Sequence, residues 1–278
     1  PEPDLAAGQV LLKTLMLSFE PAMRGWLDDV PSYLPPVGIG EPMRAPGVCQ
    51  VIRSDNPQLP EGTLVQCMAN WQEYSVSDLS AASLPRALRE GMSPNLALGV
   101  FGGTSLTAYF GLLEVSQPRP GEAVLVSGAA GATGSVVAQI ARIKGCKVIG
   151  IAGGPQKCAW LKDDCKLDGV IDYKSEDLDS RLRELCPKGV DVFFDNVGGD
   201  TLQTALNHMA EYGRIALCGC ISNYNDAIPP PGPNNLNLVI SRRLRIQGFV
   251  MMDYMAQAGK AMKELSGWVK AGKIIWRE

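Results

Sequence analysis

The sequence predicts an α/β protein in which a doubly wound parallel sheet follows a smaller, mostly β domain. Two observations carry that expectation. Residues 123–127 (AVLVS) are a short β-branched apolar run, and Gly128, Gly131 and Gly134 follow at intervals of three. Val136, Val137, Ile140, Ala141 and Lys144 then fall at helical spacing, so the stretch reads as strand, glycine turn and helix. From there strand-like and helix-like segments alternate along the chain, the pattern of parallel strands joined by right-handed crossovers with helices on both faces.

Taken in order, residues 1–93 are rich in Pro and turn residues and show no helical period. Val10–Leu17 reads as a strand, followed by a loop carrying Pro31, Pro35 and Pro36. Further strands are expected over 47–54, 63–67 and 71–76, with a turn over 56–62. At Pro94 the texture changes. Residues 95–115 have a helical period broken at Gly102 and Gly103, so two helices are expected. Strands are then expected at 123–127, 147–152, 169–172, 191–194, 214–218 and 245–250. Helices are expected at 155–165, 176–185, 201–209 and 254–270, with a Pro-rich loop over 228–233. The division that results is a β domain over 1–93, a nucleotide-type α/β domain over 94–272, and a return towards the first domain beginning over 273–278.

Composition narrows the function classes. The chain has 278 residues, 46% hydrophobic and 20% charged, with a net charge of −3. That is a soluble globular profile, large enough for two cores. The near-neutral balance and the absence of a Lys/Arg block argue against nucleic acid or an anionic membrane as partner. The longest apolar runs, at 148–152 and 215–218, are too short to span a bilayer. Cys49, Cys67, Cys146, Cys158, Cys165, Cys186, Cys218 and Cys220 are scattered, without a Cys-x-x-Cys pair. They read as reduced thiols of a cytoplasmic protein. His208 is the single histidine, expected to be structural, so no metal site is expected.

A glycine turn heading the first βαβ unit lets the backbone approach a pyrophosphate and aims free helix N–H groups at its charge. The end of the next strand chooses the nucleotide. An NAD site usually places Asp or Glu there to hold the ribose 2′-hydroxyl; here the chain runs Ile151-Ala152-Gly153-Gly154, with no acid. Lys157 follows at the start of the next helix, and a cation there suits a 2′-phosphate. The expected cofactor is NADPH. Two further strand ends open on the same crevice: Asp195-Asn196-Val197-Gly198-Gly199, and Cys218-Gly219-Cys220-Ile221-Ser222-Asn223-Tyr224.

The polar inventory restricts the chemistry. With no metal expected, no placed histidine and no G-x-S-x-G elbow, what remains is a nicotinamide and a few hydroxyls. Hydride transfer to the β-carbon of an α,β-unsaturated carbonyl needs little more, because charge moves to an enolate oxygen that one donor can stabilise. Tyr224 is the candidate donor or proton source; the alternative for it is packing on a ribose without chemical duty.

With these residues assembled, the chain resembles the zinc-independent medium-chain dehydrogenase/reductases of the leukotriene B4 dehydrogenase/prostaglandin reductase group, and within it the bacterial curcumin reductase-like enzymes. The motifs that carry the resemblance are EPAMRGW (20–26), SYLPPVGIGEPM (32–43), GAAGATGSVVAQIA (128–141), GGPQKC (153–158), DNVGG (195–199), ISNYN (221–225) and QGFVMMDY (247–254). The resemblance implies a GroES-like β domain and a Rossmann domain with the active site in the cleft between them. It also implies NADPH-dependent reduction of the C=C bond of α,β-unsaturated ketones or aldehydes. The cofactor contacts it implies are Gly128, Gly131, Ala132, Thr133, Gly134, Lys157, Tyr173, Asn196, Cys218, Gly219, Ser222, Tyr224, Phe249, Val250 and Met251, with Arg24, Tyr33 and Tyr254 at the substrate. It implies a homodimer joined edge to edge through strand 245–250, and further segments before Pro1 and after Glu278. The chain departs from the group's usual Asp and Tyr at Glu20 and Ala22. Two other expectations stand beside this one: a quinone reductase of the same superfamily, and a catalytically silent NADPH-binding protein.

Overall fold

The computed structural model describes residues 3–79, 85–228 and 230–277, and the chain divides into two compact units, Pro1–Gly102 and Gly103–Glu278. In the first, β1 (Val10–Leu17), β2 (Pro46–Ser54), β3 (Leu64–Met68), β4 (Tyr74–Ser77) and β5 (Arg86–Ala87) form one antiparallel sheet ordered β4-β1-β2-β3-β5. Alternating residues Val10, Leu12, Cys49, Val51, Val65 and Cys67 face one core, as the two-residue period of a strand dictates. One helical turn, Ala22–Gly25, interrupts what the sequence reads as loop. It seats Met23 and Trp26 against Ala45, which is enough apolar surface to hold four residues helical.

The second unit holds β6 (Ala123–Val126), β7 (Lys147–Ala152), β8 (Gly169–Asp172), β9 (Val190–Asp195), β10 (Met209–Leu217) and β11 (Arg245–Gly248). All five pairings are parallel, and the order is β11-β10-β9-β6-β7-β8. Chain direction across the sheet therefore reverses between β6 and β9, the switch point where such folds bind ligands. One face packs helices Leu178–Leu185, Gly199–His208 and Asn237–Ser241 over Leu125, Ile149, Phe193 and Ile215. A separate layer joins helices Gly103–Phe110, Ala132–Ile143 and Ala258–Lys270.

Three local differences from the sequence reading have physical causes. β10 begins at Met209 rather than at 214, because an irregularity separates its Met209–Val190 pairing from Arg214–Val192. Tyr212 takes φ 59° inside it, which breaks the alternation that marks a strand. The helix expected over 254–270 opens as a 3-10 segment, Met251–Gln257, before Ala258–Lys270. The helical stretch Pro94–Ser116, broken near Gly102, is long and apolar enough to cross a membrane; its Leu106, Ala108, Tyr109, Phe110, Leu112 and Val115 are buried in the protein instead. The Pro-rich loop expected over 228–233 includes Pro229, which lies outside the described residues.

Strand order at the sheet's N-terminal side is held by Arg214. Its guanidinium donates to Glu122 Oε1 at 3.0 Å and Oε2 at 2.6 Å, and to the Ser116 and Gln117 carbonyls at 3.1 and 3.0 Å. Burial would raise the Glu122 carboxyl, but the Arg214 hydrogen bonds, the Arg119 N–H and the Arg214 charge outweigh it, so the group sits below the ordinary value. The pair's contribution is therefore complete above the unfolded glutamate value, about 4.3, and is lost as pH falls through the lower folded value. Glu122→Gln should cost about 2 kcal/mol at pH 7, and the gap between the urea unfolding curves of variant and wild type should close as pH falls below the unfolded glutamate value and through the lower folded one.

Candidate active site

The turn after β6 is built on close backbone approach. Gly128 takes φ +57°, Gly131 N-caps helix Ala132–Ile143 without a side chain, and a Cβ at Gly134 would lie 2.3 Å from the Gly128 carbonyl oxygen. Gly131 N–H bonds back to Gly128 O at 2.9 Å, and the next N–H bonded back is that of Ser135, to Gly131 O at 2.9 Å. The N–H groups of Ala132, Thr133 and Gly134 are therefore the ones a helix N-terminus presents outward. Gly131 and Ala132 are exposed. This is an anion cradle.

At the end of β7, a Cβ on Gly153 would lie 2.7 Å from the Tyr173 ring, so the tyrosine that follows β8 packs directly over this glycine. Tyr173 remains 58% exposed, which leaves most of its surface for a ligand. Gly154, at φ +93°, donates its N–H to Asp172 Oδ1 at 2.9 Å. That bond and the Lys174 N–H hold the Asp172 carboxyl below its usual range. Lys157 is exposed in helix Pro155–Ala159 and makes no ion pair among the described residues.

The turns after β9 and β10 are laced together. Asp195 is fully buried and accepts from Ser127 Oγ at 2.6 Å and from the Val197 and Gly198 N–H groups at 2.9 and 3.1 Å. Burial raises its carboxyl, against the pull of those three donors. Asn196 Nδ2 donates to the Ser127 carbonyl at 2.7 Å. Cys218 and Gly219 donate their N–H groups to Asp195 O at 2.8 and 3.2 Å. Ser222 Oγ lies 2.6 Å from Val197 O, to which its hydroxyl donates, so it clamps the neighbouring turn. Tyr224 Oη accepts the Cys220 N–H at 3.3 Å. Burial and the nearby Asp195 charge push Cys218 up to about 12 and raise Cys220 as well, so both are protonated thiols at neutral pH.

Other expected residues have packing or hydrogen-bond partners of their own. The Phe249 ring sits 6.1 Å from that of Phe194 and fills the space over Gly111, where a Cβ would meet it at 2.2 Å. Tyr254 stacks on buried Phe110, with ring centroids 5.2 Å apart. In the first unit, Arg24 pairs with Asp28 at 2.7 Å and Tyr33 Oη accepts from Trp26 Nε1 at 3.0 Å. Ser127 is the site residue that sequence reasoning passed over. A serine closing an apolar strand and an aspartate closing the VFFD run 68 residues on each suggest a buried polar residue, but nothing in the sequence pairs them.

The fold and this site define the class of nucleotide-binding α/β proteins built on a doubly wound sheet. Residues 1–84 match the model for the N-terminal domain of oxidoreductase, and residues 132–267 the model for zinc-binding dehydrogenase. The chain is 39% identical over 285 residues to the NADPH-dependent curcumin reductase of Escherichia coli, spanning 100% of this chain and 82% of the relative. It is 41% identical over 280 residues to prostaglandin reductase 1 of Rattus norvegicus, spanning 99% and 82%. The crystal structure of CurA in complex with NADPH from Vibrio vulnificus superposes with a TM-score of 0.91 at 38% identity, covering 100% of this chain and 84% of that one. The chain belongs to the medium-chain dehydrogenase/reductase family, in the group of the curcumin and prostaglandin reductases.

Because the would-be Cβ at Gly134 meets backbone rather than a movable side chain, Gly134→Ala should destabilise the chain by about 2 kcal/mol or more, read from urea unfolding at pH 7.

Proposed function

We propose that this protein is an NADPH-dependent oxidoreductase that reduces the C=C bond of α,β-unsaturated ketones or aldehydes. The observation that carries the reading is the glycine cradle at the switch point together with the unpaired cation at Lys157. The residues fit the cofactor. Three N–H groups at Ala132, Thr133 and Gly134 suit its pyrophosphate, and Lys157 its 2′-phosphate, with Tyr173 beside the adenosine. Asn196, the Cys218–Gly219 main chain, Ser222 and the main chain at Phe249, Val250 and Met251 are assigned to the nicotinamide half.

NADPH, when bound, supplies a hydride for the β-carbon. Tyr224 then serves the developing enolate as a hydrogen-bond donor or proton source. The Cys220 N–H donated to Tyr224 Oη steadies the charge left behind when the phenol gives its proton. Arg24, Tyr33 and Tyr254 are assigned to the substrate. Nucleotide binding is assigned to 94–272 and the substrate-side β domain to 1–93.

The donor set supports a zinc-independent reaction. The one histidine, His208, is bound to Asp179 at 2.7 Å, and no group of three His, Cys, Asp or Glu among the described residues has the makings of a metal site. β11 pairs on one side with β10 and, among the described residues, has no strand on the other, which supports a homodimer joined edge to edge. All eight cysteines are free, which supports a cytoplasmic setting.

The direct test is NADPH absorbance in the presence of simple enones and enals. Turnover is expected, and Tyr224→Phe should lower kcat about 100-fold with little change in KM for NADPH. Consumption with quinones alone, giving one-electron products, would overturn the enone reading. A shift confined to the KM for NADPH would make Tyr224 a ribose contact only. Lys157→Glu should weaken NADPH at least about tenfold more than NADH; equal loss for both would remove its role at the 2′-phosphate.

A further inference from the structure

Asp195 ends β9 with its carboxylate wholly out of water, at the switch point itself. A charge that deep persists only where donors surround it. Its donors are the Ser127 hydroxyl, the Val197 N–H and the Gly198 N–H, the last within 3.1 Å of both oxygens. The Ser127 Oγ that donates to Asp195 accepts in turn from the Asn196 N–H at 2.8 Å. The Ser127 carbonyl takes the Asn196 side-chain N–H at 2.7 Å. A carbonyl can face only the nitrogen of the amide, so Asn196 Oδ1 must turn the other way. That oxygen, on a half-buried residue, has no partner among the described residues.

The sheet order says which part of a bound dinucleotide lies there. β6 carries the pyrophosphate turn, β7 on one side leads to Gly153 and Lys157, and β9 on the other leads to Asn196. The adenosine end thus belongs with β7 and the nicotinamide end with β9.

We infer that Asp195 is a positioning residue: by holding the Ser127 hydroxyl that takes the Asn196 main-chain N–H, it seats Asn196 so that its amide, held at Nδ2 by the Ser127 carbonyl, aims Oδ1 to accept a hydrogen bond from the nicotinamide–ribose half of the cofactor. The donor to Oδ1 is a ribose hydroxyl or the carboxamide N–H. This inference rests on the NADPH reading. It differs from a purely structural role, in which the brace would only join β6 to β9.

Calorimetric titration of Ser127→Ala, Asp195→Asn, Asn196→Ala and the Asp195→Asn/Asn196→Ala double variant tests it, with NADPH and with 2′,5′-ADP as separate ligands. 2′,5′-ADP reports on the adenosine half alone, and near-UV dichroism reports folding. Each single variant should weaken NADPH about tenfold or more while leaving 2′,5′-ADP within about twofold. The double variant should bind NADPH no worse than Asn196→Ala, because the carboxylate acts through the amide. Equal losses for both ligands, unchanged NADPH binding in the singles, or additive losses in the double variant would each overturn the positioning role. If Asp195→Asn does not fold, Ser127→Ala against Asn196→Ala carries the same comparison. If the wild-type protein bound 2′,5′-ADP no better than 5′-ADP, the NADPH reading itself would fall and this inference with it.

Discussion

Gly134 has no room for a side chain: a Cβ there would stand 2.3 Å from Gly128 O and 2.9 Å from Ala129 Cα. That contact brings helix Ala132–Ile143 hard against the strand end from which it springs. Its next turns then bury Val136, Val137, Ile140 and Ala141. Because the helix starts so close to the strand, its first N–H groups open at the carboxyl edge of the sheet rather than into a linker. An anion cradle and a packed core follow from one missing methyl group.

A second constraint acts at the neighbouring strand. β6 and β9 are paired, and Ser127 meets Asp195 across 68 residues of sequence that hold β7, β8 and their helices. The buried carboxylate then gathers the turns that follow both strands, and its main-chain oxygen gathers the turn after β10. The crevice wall is thereby assembled from three distant segments that share one residue.

These two constraints were unequally legible. The glycine spacing, the β-branched run at 123–126 and the alternation after it are local signals, and the parallel sheet follows from them. The spacing of Gly128, Gly131 and Gly134 marks a turn that lets the backbone approach closely. The Ser127–Asp195 brace could not be read, since sequence distance hides which polar residue meets which. An acid at the end of VFFD announces burial but not its partner. β10 shows a different obstruction: residues 210–213 bulge away from β9, and Tyr212 at φ 59° leaves no two-residue period to find. The one-turn helix Ala22–Gly25 is held by Met23 and Trp26 packing on Ala45, a tertiary cause that no window of local sequence contains.

The choice of nucleotide shows how an absence acquires a structural meaning. The residue missing after β7 is an acid, and the sequence alone offers only two glycines in its place. In the structure those glycines are required. Gly153 lies beneath the Tyr173 ring with no space for a Cβ, and Gly154 turns at φ +93° to give its N–H to Asp172. A carboxylate could not be introduced at Gly153 without displacing Tyr173, nor at Gly154 without straining a backbone that side chains rarely adopt. The acid of this region, Asp172, is instead engaged by the Gly154 and Lys174 N–H groups. Lys157 is then the charge nearest in sequence that no carboxylate among the described residues neutralises. A site whose own carboxylate is already engaged by main-chain N–H groups, and whose cation no carboxylate among the described residues pairs, favours a ligand bringing an extra phosphate, which is the distinction between NADPH and NADH.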